Sequence, residues 1–180
     1  PIALLLHGFP ELSFSWRKIM PILANEGFRV IAPDMRGYGL TSGGVKKYNV
    51  DISEYRLLNL TTDILSLLSA LKINKIDLLV GHDAGSSVAG ISALIRPDIF
   101  KSVVMMSAPF TGAPNVESNL SYEDPIHKNL ENLNPPRKHY QWYYSTPGAN
   151  NDMHLDKKGL HKFLRAYYHM KSADWEENNP

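Results

Sequence analysis

A chain of 180 residues is long enough for one domain with a substantial hydrophobic core. A formal net charge of +1 and the lack of a long basic run exclude nucleic acid and anionic membrane surfaces as expected partners. The absence of cysteine excludes disulfides, thiolate metal sites and thiol catalysis, and no apolar stretch reaches the roughly 18 residues that a membrane span needs.

Taken in chain order, the first 109 residues alternate strand and helix patterns, which predicts parallel βαβ units with helices on both faces of a sheet. The apolar run Ile2 to Leu6 reads as a buried strand that ends in the turn His7-Gly8-Phe9-Pro10. A helix is predicted from Phe14 to Asn25, with Trp16, Ile19, Met20 and Leu23 at helical spacing and Gly27 as its stop. A second strand covers Arg29 to Ala32, and Pro33 ends it. The polar loop Asp34 to Ser53 carries Asp34-Met35-Arg36-Gly37-Tyr38-Gly39, and an amphipathic helix follows over Glu54 to Leu71.

Next comes the most informative stretch. A strand predicted over Lys75 to Val80 runs into Gly81-His82-Asp83-Ala84-Gly85 and then into a helix of small and apolar residues. A buried strand, Gly-x-nucleophile-x-Gly and a helix form the pattern of a nucleophile elbow. The residue at its apex is Asp83. A carboxylate there is suited to attack on saturated carbon, whereas an activated serine is suited to acyl groups. The fourth strand is predicted over Ser102 to Ser107, ended by Pro109.

Beyond Pro109 the texture changes. Residues 110 to 180 lack strand runs and are rich in Asn, Pro and Tyr, with helical pieces near Lys128 to Leu133, Lys138 to Ser145 and Lys157 to Met170. The expected organisation is therefore an α/β core over 1–109 and part of a helical insertion over 110–180. Because the chain starts inside a buried-type strand and stops on a polar tail, it reads as a piece of a longer protein.

The motifs His7-Gly8-Phe9-Pro10, Asp34-Met35-Arg36-Gly37-Tyr38-Gly39 and Gly81-His82-Asp83-Ala84-Gly85, in that order and each after a strand, resemble the α/β-hydrolase fold. Within that fold they resemble its aspartate-nucleophile branch, the epoxide hydrolases. The resemblance implies a partial α/β-hydrolase core followed by part of a cap. It also implies that the Asp83 carboxylate opens an organic epoxide to a diol through a covalent ester. Hydrolysis of that ester needs two preorganised donors for the oxyanion: the residue after the nucleophile supplies the Ala84 N–H, and the resemblance places the other at Phe9 in the turn after the first strand. An aromatic residue before Pro10 in a tight turn permits a cis bond.

In the insertion, Tyr140-Gln141-Trp142-Tyr143-Tyr144-Ser145-Thr146-Pro147-Gly148 resembles the cap segment of the same enzymes. Tyr140 matches the tyrosine that donates a proton to the epoxide oxygen, and Tyr143 and Tyr144 are the fallbacks. Tyrosine and tryptophan at this spacing also suit the core of a cap helix. His7, Pro10, Trp16, His82, Tyr143 and Tyr144 are expected around the substrate pocket. Trp16 could equally be helix packing, and His7 and His82 are better suited to bracing loops than to acting as the base. Arg36 is expected to tie loops together through its fork of donors.

The resemblance places the water-activating histidine and its acid on strands after the cap, outside these 180 residues, so this chain is not expected to turn over. No cofactor and no metal are expected, since no histidine pair has zinc-site spacing with a nearby acid. The expected partner is a small organic molecule, in a cytoplasmic setting. A dehalogenase is the nearest alternative, but Ala84 and Phe9 stand where many dehalogenases carry Trp and Asn for the halide. A non-catalytic member of the fold is another, and a serine esterase the weakest, since Ser86 and Ser87 lie off the apex. The sequons at Asn59 and Asn119 would matter only in a secreted protein, and the first falls in a predicted helix.

Overall fold

The computed structural model describes residues 1–45, 47–109, 112, 125–155 and 159–176. The Asn119 sequon, Lys46 and the predicted helix start at Lys157 lie outside them. The chain divides into two compact units, Pro1–Pro114 and Asn115–Pro180.

The first unit is built on four strands: β1 (Ile2–Leu6), β2 (Arg29–Ile31), β3 (Leu78–His82) and β4 (Val103–Met106). They pair in parallel in the order β2-β1-β3-β4. Helices connect them: α1 (Ile19–Asn25), α2 (Leu57–Ala70) and α3 (Ala84–Ile95). β1 is central, and Ala3, Leu4, Leu5 and Leu6 are each 0% exposed. That burial explains why the strand is a continuous apolar run rather than an alternating one. Leu4 and Leu6 pack with Ile64, Leu68, Leu79, Val88 and Ala89, the α2 and α3 side of the sheet. Leu5 packs with Trp16 and Val80, joined by Met20 and Leu23 from the α1 side.

α2 buries Thr61, Ile64 and Leu68 along one stripe, the spacing of a single helical face. Its buried Thr61 hydroxyl is within 3.1 Å of the Ser92 hydroxyl on α3, so the two helices satisfy each other's buried polar groups.

Several element bounds differ from the sequence reading. Ser13–Lys18 is a 3₁₀ segment that leads into α1, and Ser53–Tyr55 is another ahead of α2. β3 runs two residues further than expected, because Gly81 and His82 remain extended and pair with Met105 and Met106 of β4. Its predicted start is absent from the strand, and only an isolated bridge joins Ile76 to Phe100.

In the second unit the described helices are α4 (Pro125–Glu131), α5 (Tyr140–Tyr144), α6 (Ala149–Leu155) and α7 (Gly159–Met170). α6 was not foreseen. Its Ala-Asn-Asn-Asp start carries no apolar period to announce a helix. Among the described residues no helix is long and apolar enough to cross a membrane.

Candidate active site

Strand order fixes where a site can form. β1 connects to β2 on one side of the sheet, and the chain then crosses to β3 on the other side. The carboxyl ends of β1 and β3 therefore border the point at which the connections diverge, the crevice where open α/β sheets bind ligands. The His7-Gly8-Phe9-Pro10 turn leaves one of those strands, and Asp83 leaves the other.

Asp83 sits at φ 53° and ψ −120°, a conformation that costs about 1–3 kcal/mol for a residue with a side chain. The neighbouring glycines are required by close approach. A Cβ on Gly81 would overlap the Gly85 carbonyl, and one on Gly85 would overlap the carbonyls of Leu6 and His7. The apex is also tied at both backbone ends: the Asp83 N–H donates to the Met106 carbonyl at 3.0 Å, and its carbonyl accepts from the Ser86 N–H at 3.0 Å.

The Asp83 side chain does not cap its own helix. Instead Oδ1 accepts the Phe9 backbone N–H at 2.9 Å. One carboxylate oxygen is thus held on the turn after β1. Ala84 is the first residue of α3, so its N–H belongs to the helix-start donors that have no intrahelical acceptor. The Phe9–Pro10 peptide is cis.

The two motif histidines face different partners. His7 is 1% exposed, and its Nε2 accepts the Met35 N–H at 3.0 Å. The other ring nitrogen must then carry the hydrogen, and Nδ1 donates to the Gly8 carbonyl at 2.9 Å. His7 therefore links the turn after β1 to the loop after β2 from a buried position. His82 lies between Glu11 Oε2, 2.9 Å from Nδ1, and the Ser107 hydroxyl, 3.1 Å from Nε2. Trp16 packs in the core against Leu5 and Val80 and is 6% exposed, the helix-packing alternative of the sequence reading.

Three further residues support the site, and of these only Glu11 lies outside everything the sequence reading named. Glu11 holds His82, as described. The Ser86 hydroxyl, fully buried, accepts the Met106 N–H at 3.0 Å and donates to the Gly81 carbonyl at 3.0 Å, so it fastens the elbow to β4. Asp34 accepts the Ser13 N–H at 2.8 Å, and that bond holds its carboxyl below the usual value despite partial burial. Arg36 behaves as expected: its fork grips Asp63 at 2.7 and 2.6 Å, and its third nitrogen reaches Glu54 at 3.1 Å. The loop after β2 is thereby pinned to α2.

In the second unit Tyr140 opens α5, half-exposed, with its ring 5.9 Å from that of Tyr144 and the Lys171 ammonium 4.9 Å from its centroid. The Tyr143 hydroxyl donates to the Asp152 carboxylate, and that bond raises the phenol's pKa. Burial raises Tyr144 as well. An apolar cleft of about 340 Å³ is lined by Tyr140, Tyr143, Tyr144, Phe163, Tyr167 and Met170.

A parallel sheet with a strained aspartate on a strand-to-helix turn, its carboxylate held by the turn of the adjacent strand, defines the class: an α/β fold of the hydrolase type with an aspartate at its elbow. The family model for the alpha/beta hydrolase fold matches residues 1–168, and the chain belongs to that family. It is 48% identical over 110 residues to an epoxide hydrolase of Caballeronia sordidicola, covering 61% of this chain and 32% of that protein. Epoxide hydrolase B of Mycobacterium tuberculosis is 37% identical over 163 residues, 88% of this chain and 44% of that one. Among solved structures, an epoxide hydrolase from an endophytic Streptomyces superposes with a TM-score of 0.67 at 34% identity, covering 87% of this chain and 43% of that chain. The chain thus spans less than half the length of these relatives.

Proposed function

We propose that this chain carries the nucleophile of an epoxide hydrolase, and that Asp83 forms a covalent ester with an apolar organic epoxide. The observation that carries the reading is the Phe9 N–H on Asp83 Oδ1 at 2.9 Å. Oδ2 attacks a ring carbon, that carbon–oxygen bond breaks, and the electron pair passes to the ring oxygen. The developing alkoxide takes a proton from a phenol, which we assign to Tyr140.

Tyr140 is favoured over Tyr143 because the Tyr143 hydroxyl is engaged by Asp152. Residues 110–180 are read as part of the cap, as the resemblance of the Tyr140 segment suggests. Once alkylated on Oδ2, Asp83 keeps Oδ1 as the ester carbonyl oxygen, already facing the Phe9 N–H. Water attack on the Asp83 carboxyl carbon then puts negative charge on Oδ1, where Phe9 and Ala84 N–H groups stabilise it. Collapse releases the diol and restores the carboxylate; of the two protons of the water, one completes the second hydroxyl and the other returns to the Tyr140 phenolate.

The histidine that activates this water is assigned, with its acid, to positions outside these residues. His7 is bonded to Met35 and Gly8, and His82 to Glu11 and Ser107, in keeping with bracing roles. The ester is accordingly expected to accumulate on this chain. A cytoplasmic setting and a small-molecule partner belong to the same proposal.

Incubation with a phenyl-substituted epoxide followed by intact-mass measurement tests the reading. The expected gain is the mass of one epoxide per chain, absent in Asp83→Asn. Equal labelling of the two proteins would overturn it.

A further inference from the structure

The loop between β2 and α2 forms a cavity that no part of the mechanism above uses. It is open, about 480 Å³, and its walls include Phe9, Gly37, Tyr38, Val45, Ile52 and Tyr55. Several of the described loop residues are tied down. The Tyr55 hydroxyl donates to the Gly43 carbonyl at 2.8 Å and accepts the Val45 N–H at 3.3 Å. Arg36 fastens the start of the loop to Asp63 and Glu54. Walls held this way are formed before a ligand arrives, which lowers the ordering cost of binding.

The cavity adjoins the nucleophile through two residues. Phe9 gives its backbone N–H to Asp83 and is also one of the residues that line the cavity. Tyr38 packs edge-on against His7, with ring centroids 4.9 Å apart. Burial first, and then the Asp83 charge, raises its phenol above the ordinary value, which agrees with Tyr38 standing near the carboxylate. A group seated in the cavity therefore lies against a residue that is itself hydrogen-bonded to the Asp83 carboxylate.

Its lining also selects the ligand chemistry. Val45 and Ile52 are exposed apolar side chains, and two phenol rings and a phenyl ring complete an aromatic wall. The cation at its border, Arg36, is already neutralised by Asp63 and Glu54. A carboxylate or phosphate would lose its hydration there without gaining a free partner.

We infer that this cavity is a subsite for the uncharged apolar arm, aryl or branched alkyl, of the electrophile opened at Asp83. The inference rests on the proposed function and adds where the non-reacting part of the substrate lies. Binding energy from that arm would hold the ring carbon against Oδ2 and raise the alkylation rate of large substrates over small ones.

The test compares rate constants for ester formation on Asp83, followed by intact mass, with a phenyl-substituted and a methyl-substituted epoxide. Val45→Trp and Ile52→Trp fill the cavity from two sides, and circular dichroism checks that each variant is folded. The expected result is a loss of about tenfold for the phenyl substrate in both variants, with the methyl substrate changed by less than about twofold. Equal effects on both substrates, or none on either, would overturn the subsite while leaving Asp83 as the nucleophile.

If the wild-type chain is labelled by neither epoxide, the proposed function fails, and the subsite is then judged by binding alone. Titration with 1-phenylethane-1,2-diol should shift the backbone amide resonances of Gly37, Val45 and Ile52 in a saturable way. Unshifted resonances at those positions would overturn it.

Discussion

The Phe9 amide donates to Asp83 Oδ1 at 2.9 Å, bridging the turn after β1 to the apex after β3. Two residues 74 positions apart in sequence thus meet because their strands are neighbours whose connections leave in opposite directions. In the proposed reaction this bond would divide the work of the carboxylate between its oxygens, one held where charge develops and the other attacking.

Gly85→Ala should destabilise the first unit more than an ordinary small-to-large change. The added Cβ meets the backbone carbonyls of Leu6 and His7 in the central strand, which cannot swing aside as a side chain could. The expected loss lies at or above the upper end of about 1–3 kcal/mol. Urea denaturation of the variant beside wild type measures it, and an unchanged midpoint would contradict the packing described here.

Ser86→Ala removes a hydroxyl that serves the Met106 N–H and the Gly81 carbonyl. Both backbone groups would be left without that partner next to a fully buried position. A loss of about 1–3 kcal/mol is expected. The same denaturation measurement reads it, and the alkylation rate at Asp83 should fall with it, because the elbow is fastened to β4 through this side chain.

Asp34 gives a pH signature. Its carboxyl is lowered mainly by the Ser13 N–H bond, so the folded state binds that proton more weakly than the unfolded state does. The stabilisation is present in full above the unfolded value of about 3.9 and is lost as pH falls through the lower folded value. The stability gap between wild type and Asp34→Asn should therefore be constant at neutral pH and shrink below about pH 4. A gap that widens on acidification would reverse the sign of the assignment.

Tyr140→Phe and Tyr143→Phe separate the two phenols. Loss of the proton donor should slow ester formation by about 10²-fold in Tyr140→Phe. Tyr143 gives its hydroxyl to Asp152, so Tyr143→Phe should leave the rate within about twofold. Timed intact-mass series on both variants would show the difference, and the reverse order would move the donor role to Tyr143.

The parts of this site that could be read in the sequence are those whose geometry is local. Gly81-His82-Asp83-Ala84-Gly85 announces a strained turn because a strand, two glycines and a helix lie within a dozen residues. The Phe9 turn is legible only through the resemblance of His7-Gly8-Phe9-Pro10 to the family, since by itself it reads as a plain strand-ending turn. Glu11 was invisible as the partner of His82, since nothing in a lone glutamate after Pro10 points to a histidine 71 residues away. Ser86 was set aside as a residue off the apex, and its role depends on β4 passing beside it. Trp16 illustrates the opposite limit: helical spacing suits a pocket wall and a core position equally, and only the packing with Leu5 and Val80 separates them. α6 was missed because a short polar helix has no period to detect.

The most direct test of the central claim is to locate the added mass. After reaction with a phenyl-substituted epoxide, tandem mass spectrometry of the peptide containing Gly81 to Gly85 should place one hydroxyalkyl group on Asp83. Mild base should remove it and restore the unmodified mass, as an ester requires. A base-stable adduct on His82, or modification of Glu11 with Asp83 untouched, would contradict the assignment of Asp83 as the nucleophile.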